Sequence, residues 1–214
     1  MIMEGRGIPA KGAFPGSFSY GNDAVETVSY DPEEAKKLLE ESGWTDTDGD
    51  GYVDKDGQKL TINWLTYPTR LEQPKLAEYA QATLKDIGID VSVNNTSDHR
   101  TYAENGEFDV YVSSLTTAPT GDPEYFFSST VTGSKNYGNY QNDEVTKLTE
   151  QLHQTFDTDE RGKLAVELQQ KILDDDAYFF VSHLNMGIVT KANVTGMAAH
   201  PCDYYEITAD LDVQ

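Results

Sequence analysis

Two stretches of alternating apolar and polar residues, separated by a gap of helical length, most constrain what this chain can fold into. They run from Ile89 to Asn94 and from Phe108 to Ser113, and both follow the two-residue period of a β-strand. A strand, a crossover and another strand predict a sheet with helices on its faces. Such sheets bind ligands beyond the carboxyl ends of their strands. We therefore expect a ligand near Ser114–Asp122, which follows the second stretch.

Further strand and helix signals lie on both sides of this pair. Asp31 and Pro32 predict a helix start, and Gly43 predicts its end. Leu60–Thr66 alternates as another strand, and a helical period follows Pro74. The predicted inner face of the first of these helices is Ala35, Leu38 and Leu39.

Two more helices are predicted in the second half of the chain. One opens at Asn142 or Asp143 and the other at Thr158, and a short polar link makes them an antiparallel pair. Their predicted inward faces are Val145, Leu148, Leu152 and Phe156, then Leu164, Ala165, Leu168, Ile172 and Leu173. Ala177–Lys191 has strand propensity. The predicted fold class is α/β, a mixed sheet flanked by helices with extended terminal segments.

The composition argues against several classes of function. The 214 residues include 16 basic and 37 acidic ones, and the net charge of −21 repels nucleic acid and anionic membranes. Met1–Tyr20 lacks the features of a signal peptide, and no apolar run is long enough to span a bilayer. Taken alone, these two observations predict a cytoplasmic location. The single cysteine, Cys202, excludes an internal disulfide.

An acidic loop is the first candidate for ligand chemistry. Its residues match the first nine places of a calcium-binding loop, but Gly57 stands at the twelfth place, where a bidentate glutamate is expected. The sequence leaves two interpretations, a structural calcium ion or a solvated turn built on Asp-Gly pairs. No cofactor is required. The candidate ligands are Asp46, Asp48, Asp50, Tyr52 and Asp54.

No sequence pattern indicates an enzyme. The histidines lack zinc-binding spacing, and the chain has neither a GxSxG elbow nor a glycine-rich phosphate loop. The segment 116–127 instead combines hydroxyls, prolines and aromatic rings, which suit capture of a small organic ligand. Asp122 could also cap a helix beginning near Pro123. The candidate ligand-binding residues are Thr116, Thr117, Asp122, Tyr125 and Tyr137.

The order of the motifs resembles a known protein family. The chain contains YDPEEAKKLLEESGWTDTDGDG, ATLKDIGIDVSV, GEFDVYVSS followed by GDPEYFF, and an HPCDYYEITADL ending. In this order they resemble the carboxyl-terminal half of family 5 extracellular solute-binding proteins, which serve ABC importers of peptides, nickel, opines and related chelates. The ending is most similar to the branch labelled nickel-binding.

The resemblance implies a division of the chain and a set of partners. Residues 1–30 would connect to a missing first lobe, residues 31–191 would form the second lobe, and residues 192–214 would return to the first. It further implies that the full-length protein closes on its ligand about a hinge and delivers the ligand to an ABC permease. That protein would work outside the cytoplasmic membrane, in the periplasm or lipid-anchored at the cell surface.

Departures from the family pattern narrow the expected cargo. Thr116 and Pro119 stand where peptide binders commonly have a tryptophan and an acidic residue, and Ser134–Asn136 lacks the histidine of nickel binders. We therefore expect a non-enzymatic receptor for a metal complexed by a small chelator or for a small peptide-like solute. The alternative is an extracellular calcium-stabilised interaction module, which rests on the acidic loop alone.

Overall fold

A computed structural model describes residues 2–199 and 207–214 of the chain, and it divides into two compact units. The first holds Val28–Ser114 with the first residues of the chain. The second holds Glu4–Thr27 and Leu115–Gln214. The predicted ranges 1–30, 31–191 and 192–214 concern the relation of this chain to a longer protein and stay a prediction. His200 and Cys202 lie outside the described residues.

The first unit is built on a three-stranded parallel sheet, whose central strand is Thr61–Thr66 (β4). Both neighbours pair with β4, in the registers Thr61 to Asp90 through Thr66 to Asn95 on one side and Trp64 to Val110 on the other. Helix α2 (Glu72–Lys85) packs on β5 (Asp90–Asn95) and β4, and helix α3 (His99–Glu104) packs on β4. Its elements are α1 (Pro32–Glu41), β2 (Asp54–Lys55), β3 (Gln58–Lys59), β4 (Thr61–Thr66), α2 (Glu72–Lys85), β5 (Asp90–Asn95), α3 (His99–Glu104) and β6 (Val110–Tyr111).

The second unit is mainly helical, with short antiparallel strand pairs. Strand β1 (Gly7–Pro9) pairs with β7 (Ser182–Leu184), and β8 (Val194–Thr195) pairs with β9 (Asp212–Val213). Its elements are β1 (Gly7–Pro9), a 3-10 turn (Asn22–Ala24), α4 (Glu124–Phe126), a π-helix (Phe127–Val131), α5 (Asp143–Gln154), α6 (Thr158–Asp174), β7 (Ser182–Leu184), β8 (Val194–Thr195) and β9 (Asp212–Val213).

The core of the second unit is aromatic at its centre. Phe14 packs edge-on against Tyr20 and Phe126, with ring centroids 5.0 and 6.0 Å apart. Leu152 of α5 and Leu168 of α6 are fully buried in the same cluster. The core is therefore formed by segments that are distant in the sequence.

Capping side chains fix where three helices begin. Asp31 accepts hydrogen bonds from the backbone N–H groups at the start of α1, and Asn142 does the same for α5. Asp157 caps α6, one residue before the predicted opening at Thr158. Each side chain satisfies backbone donors that have no partner inside the helix.

The α/β class is confirmed, with parallel and antiparallel pairings in separate sheets. The predicted inward face of α6 is buried throughout, whereas Phe156 lies beyond α5 and is 92% exposed, so its inward placement was wrong. The helix ends at Gln154 and the link to α6 turns Phe156 outward. Leu38 on the predicted inner face of α1 is also 54% exposed, and α1 has no buried residue.

Among the described residues, the helices are too short or too polar to cross a bilayer.

Candidate functional site

The segment 115–123, which follows the first unit, is held by buried anchors at its centre and end. Ala118, Pro119 and Pro123 are buried, whereas Thr116 is exposed and Thr117 is half-buried. Two hydrogen bonds also fix the turn at Gly121, because its N–H donates to the Ala118 carbonyl at 3.0 Å and its carbonyl accepts from the Tyr20 hydroxyl at 2.8 Å. Gly121 has a φ of +80°, a conformation that favours glycine. The loop therefore presents its hydroxyl residues from a fixed backbone.

Arg161 joins this loop to the start of α6. Its guanidinium donates to both carboxylate oxygens of Asp122, at 2.8 and 2.6 Å, and to Glu124 at 3.0 Å. It also donates to the backbone carbonyls of Leu152 and Thr155, both at 2.6 Å. The hydrogen bond that Arg161 donates to Asp122 is the main cause that raises the pKa of Arg161. A planar bidentate pair of this kind holds two chain segments in one orientation.

Asp122 and Glu124 are thus part of the framework of the loop. Asp122 also accepts a hydrogen bond from the Glu124 N–H at 2.9 Å, at the first residue of α4. Glu124 is paired on its other oxygen with His153 at 2.6 Å. Burial opposes ionisation of Glu124, but the hydrogen bonds from His153 and Arg161 outweigh it and lower the pKa of this carboxyl. Sequence reasoning missed Arg161, since nothing local marks a partner 39 residues away.

The aromatic residues of the loop separate into a core set and a surface residue. Phe126 and Phe127 are buried in the hydrophobic cluster, whereas Tyr125 is 39% exposed. Lys135 lies over the Tyr125 ring at 5.3 Å from its centroid and donates to its hydroxyl at 3.0 Å. Tyr137 is half-buried nearby in sequence. Tyr125 is therefore the residue of this run that can offer a ring to a ligand.

A shallow pocket of about 320 Å³ lies beside the Asp122–Arg161 pair. Of the predicted ligand-binding residues, Asp122 lines it and the other four do not. The charged groups in its wall are already paired with each other, so they leave little hydrogen-bonding capacity for a solute. The lining residues outside the pair are Tyr20, Gly121, Pro123, Thr155, Phe156, Thr158 and Gly162.

The acidic loop in the first unit brings three carboxylates together at the surface. Oxygens of Asp46, Asp48 and Asp50 lie within 4.8 Å of one another, and all three residues are exposed. Asp46 accepts backbone hydrogen bonds from Gly49 at 2.7 Å and Gly51 at 3.0 Å. The oxygens could hold a cation, but the turn is already closed by its own N–H groups. Both interpretations, a structural calcium ion and a solvated turn, stay predictions.

The two remaining residues of this candidate set have partners inside the loop or the adjoining hairpin. Asp54 accepts hydrogen bonds from the side chain and the backbone N–H of Thr47, at 2.7 and 2.9 Å, and these lower its pKa. Lys59 lies over the Tyr52 ring, 4.3 Å from its centroid. Asp54 therefore has a structural role whether or not an ion is present.

Comparisons with known proteins cover most of the chain. The model of bacterial extracellular solute-binding proteins, family 5 Middle, matches residues 1–138. The oligopeptide-binding protein AppA of Bacillus subtilis (strain 168) is 32% identical over 201 residues, which cover 90% of this chain and 37% of AppA. The nickel-binding periplasmic protein of Escherichia coli (strain K12) is 28% identical over 197 residues, 88% of this chain and 37% of its own length.

Solved structures of related proteins have a fold similar to that of this chain. AppA from Bacillus subtilis in complex with a nonapeptide superposes with a TM-score of 0.78 at 25% identity, over 96% of this chain and 42% of AppA. The nickel ABC transporter structure from Bacillus halodurans superposes with a TM-score of 0.76 at 28% identity, over 99% of this chain and 45% of that chain. The chain spans less than half the length of each relative. Because the family model matches well over half of the 214 residues, this chain belongs to the bacterial extracellular solute-binding proteins of family 5.

Proposed function

We propose that this chain forms part of the substrate-binding component of an ABC importer and captures a nickel chelate or a small peptide-like solute. The family match over residues 1–138 is the observation that carries the proposal, since it includes the loop and Tyr137. An oligopeptide-binding protein and a nickel-binding protein both align with about nine tenths of the chain. The calcium-stabilised module has no comparable support.

The exposed side of the loop supplies the proposed contacts. Thr116 and Thr117 would give hydroxyl hydrogen bonds, Tyr137 a further polar contact, and Tyr125 a ring face. Asp122 has both oxygens engaged with Arg161, so in this proposal it holds the loop in its binding conformation. A fixed loop loses less conformational entropy when a solute binds.

The remaining partners belong to the longer protein that the relatives' lengths suggest. In this proposal residues 1–30 and 192–214 connect to another lobe, which closes over the solute, and the whole protein delivers it to an ABC permease. It works outside the cytoplasmic membrane, in the periplasm or lipid-anchored at the surface. Its task is binding and release without chemical change of the solute.

Calorimetric titration of the chain tests the proposal. The probes are tri-L-alanine and nickel with L-histidine, each titrated into the wild type and into Tyr125→Ala. We expect saturable binding of at least one probe, weakened roughly tenfold by loss of the ring contact. Tyr30→Ala is the matched control, because Tyr30 is an exposed tyrosine outside the loop.

Two results would contradict the proposal. One is the absence of saturable heat with both probes. The other is equal weakening by Tyr125→Ala and Tyr30→Ala, which would place the binding surface away from the loop.

A further inference from the structure

The only Asn–Gly step in the sequence lies at the end of helix α3 in the first unit. Asn105 directly follows the last helical residue, and Gly106 comes next. Both residues are exposed, and Gly106 has a φ of +70°, in the left-handed region that favours glycine. A Cβ added to Gly106 would meet no heavy atom of the described residues within 4 Å. Water therefore has free access to this step.

Hydrogen bonds explain why a glycine stands after this asparagine. The Gly106 N–H donates to the Ala103 carbonyl at 3.1 Å, and the Glu107 N–H donates to the Tyr102 carbonyl at 2.9 Å. These two bonds form a Schellman motif, which ends a helix with a left-handed residue. A residue with a Cβ would be strained in that conformation. The end of α3 thus requires the glycine.

The same pair of residues is chemically labile. The backbone nitrogen after an asparagine can attack the side-chain amide carbon, and glycine hinders this attack least because it has no Cβ. Asparagine is accordingly among the thermolabile residues of proteins. We propose that Asn105 is a site of spontaneous deamidation, which converts it to isoaspartate and opens the end of α3.

The reaction has two steps, and water is its only co-reactant. In the first, the Gly106 nitrogen forms a bond to Cγ of Asn105 while the bond between Cγ and Nδ2 breaks. The proton of the Gly106 nitrogen passes through water to the leaving nitrogen, which departs as ammonia. In the second, water opens the resulting succinimide ring by giving its hydroxyl to one of the two ring carbonyl carbons and its proton to the ring nitrogen. Opening at Cγ gives aspartate, and opening at the backbone carbonyl carbon gives isoaspartate.

Two hydrogen bonds restrain the reacting groups. The Gly106 N–H is held by the Ala103 carbonyl, and Nδ2 of Asn105 donates to the Glu107 carboxylate at 2.8 Å. Both must open before the attack. Because α3 has six residues and its end is exposed, its last turn opens at a small free-energy cost. The attacking nitrogen must also lose its proton, so we expect a faster reaction at alkaline than at neutral pH.

Isoaspartate changes the backbone at the end of the helix. The main chain then runs through Cβ and Cγ of residue 105, which adds one carbon atom between α3 and Gly106. The N–H groups of Gly106 and Glu107 move away from the carbonyls that they now contact, so the Schellman motif is lost. The Asp109 N–H, which donates to the Asn63 carbonyl at 2.9 Å, keeps the following segment on the sheet. We therefore expect a local opening and not unfolding of the unit.

Peptide-resolved mass spectrometry after prolonged incubation of the chain tests the site. We expect the peptide with Asn105 to gain the mass difference between an amide and a carboxyl, faster at alkaline pH, and an isoaspartate methyltransferase to label it. The internal control is Asn139, which is also exposed but is followed by Tyr140 and should stay unconverted. Isomerisation at the Asp–Gly steps of the acidic loop leaves the mass unchanged, so it cannot be mistaken for this reaction.

Two variants separate the chemistry from its structural effect. Asn105→Gln should show no gain in mass, because its longer side chain would have to close a six-membered ring. Asn105→Asp, freshly purified, has the aspartate product with an unchanged backbone. Hydrogen exchange should show lost protection of the Glu107 amide in the isoaspartate form but not in Asn105→Asp. The Thr96 amide, which donates to the Thr66 carbonyl at 3.0 Å, should stay protected in both.

Three results would overturn the proposal. The first is no gain in mass at Asn105, or equal conversion of Asn105 and Asn139. The second is formation of aspartate without isoaspartate. The third is an isoaspartate form in which the Glu107 amide stays as protected as in the unmodified chain.

Discussion

Arg161 is the residue on which the proposed binding loop depends most. Its side chain is only 14% exposed and donates to two carboxylates and two backbone carbonyls. Arg161→Met would leave Asp122 and Glu124 without their cation, and we expect the free energy of unfolding to fall by roughly 2–3 kcal/mol. Urea denaturation measures the change.

Lys163→Gln is the matched control for this substitution. Lys163 pairs with Glu160 on the same helix, but both side chains are largely exposed to water. Exposed ion pairs contribute little to stability, so we expect the unfolding curve to stay as in the wild type. Equal losses in the two variants would contradict the structural role assigned to Arg161.

Glu124 should make stability depend on pH. The hydrogen bonds from His153 and Arg161 hold its pKa below the ordinary value of 4.5. A carboxyl whose pKa is lowered in the folded state stabilises the protein at pH values above its ordinary pKa. This contribution is lost as the pH falls through the lowered pKa. We expect Glu124→Gln to reduce the acid-side slope of melting temperature against pH. The control is Glu150→Gln, an exposed glutamate of α5, and an identical slope in wild type and Glu124→Gln would refute the assignment.

Helices α6 and α1 show that the same periodicity can have different energetic consequences. Leu168 of α6 is fully buried, whereas Leu38 of α1 is more than half exposed. Leu168→Ala leaves a cavity in the core and should cost about 2–5 kcal/mol of unfolding free energy. Leu38→Ala should change it by less than about 0.5 kcal/mol. Chemical denaturation of both variants checks the difference, and a Leu38 loss as large as that of Leu168 would place α1 in a core.

The acidic loop is an element that closes on its own hydrogen bonds. Because backbone N–H groups already bind Asp46, we expect a calcium chelator to leave the melting temperature unchanged. Differential scanning calorimetry with and without chelator gives the answer. A chelator-induced drop that Asp48→Asn abolishes would show that calcium stabilises the loop.

Local signals predicted most elements, because caps and periodicity act over a few residues. Asp31 and Asn142 cap the helices they mark, and the alternating stretch at Leu60–Thr66 contains the central strand, Thr61–Thr66. Phe156 was placed wrongly because the helical period continues in sequence past the point where α5 ends. The end of a helix depends on tertiary packing as much as on its own residues.

The site was only partly accessible to sequence reasoning. Residue types singled out the loop and Tyr125 as candidates, but they did not single out Arg161, the partner of Asp122. An ion pair across 39 residues exists only once the chain is folded. Polar residues in such places look like ordinary surface residues in the sequence.

At the scale of the whole molecule, the described chain divides into two compact units. The second unit contains the loop with Tyr125, and the first contains the three-stranded parallel sheet. The chain covers 37% of AppA, so we propose that a longer protein completes the enclosure of the solute. The strong negative charge should make binding of cationic solutes weaken as salt is added.

Hydrogen exchange of the chain with and without saturating tri-L-alanine or nickel with L-histidine tests the central claim most directly. The account predicts that added protection is concentrated in residues 114–127 and around Tyr137. Protection confined to the acidic loop at 46–54, or no change with either solute, would contradict it.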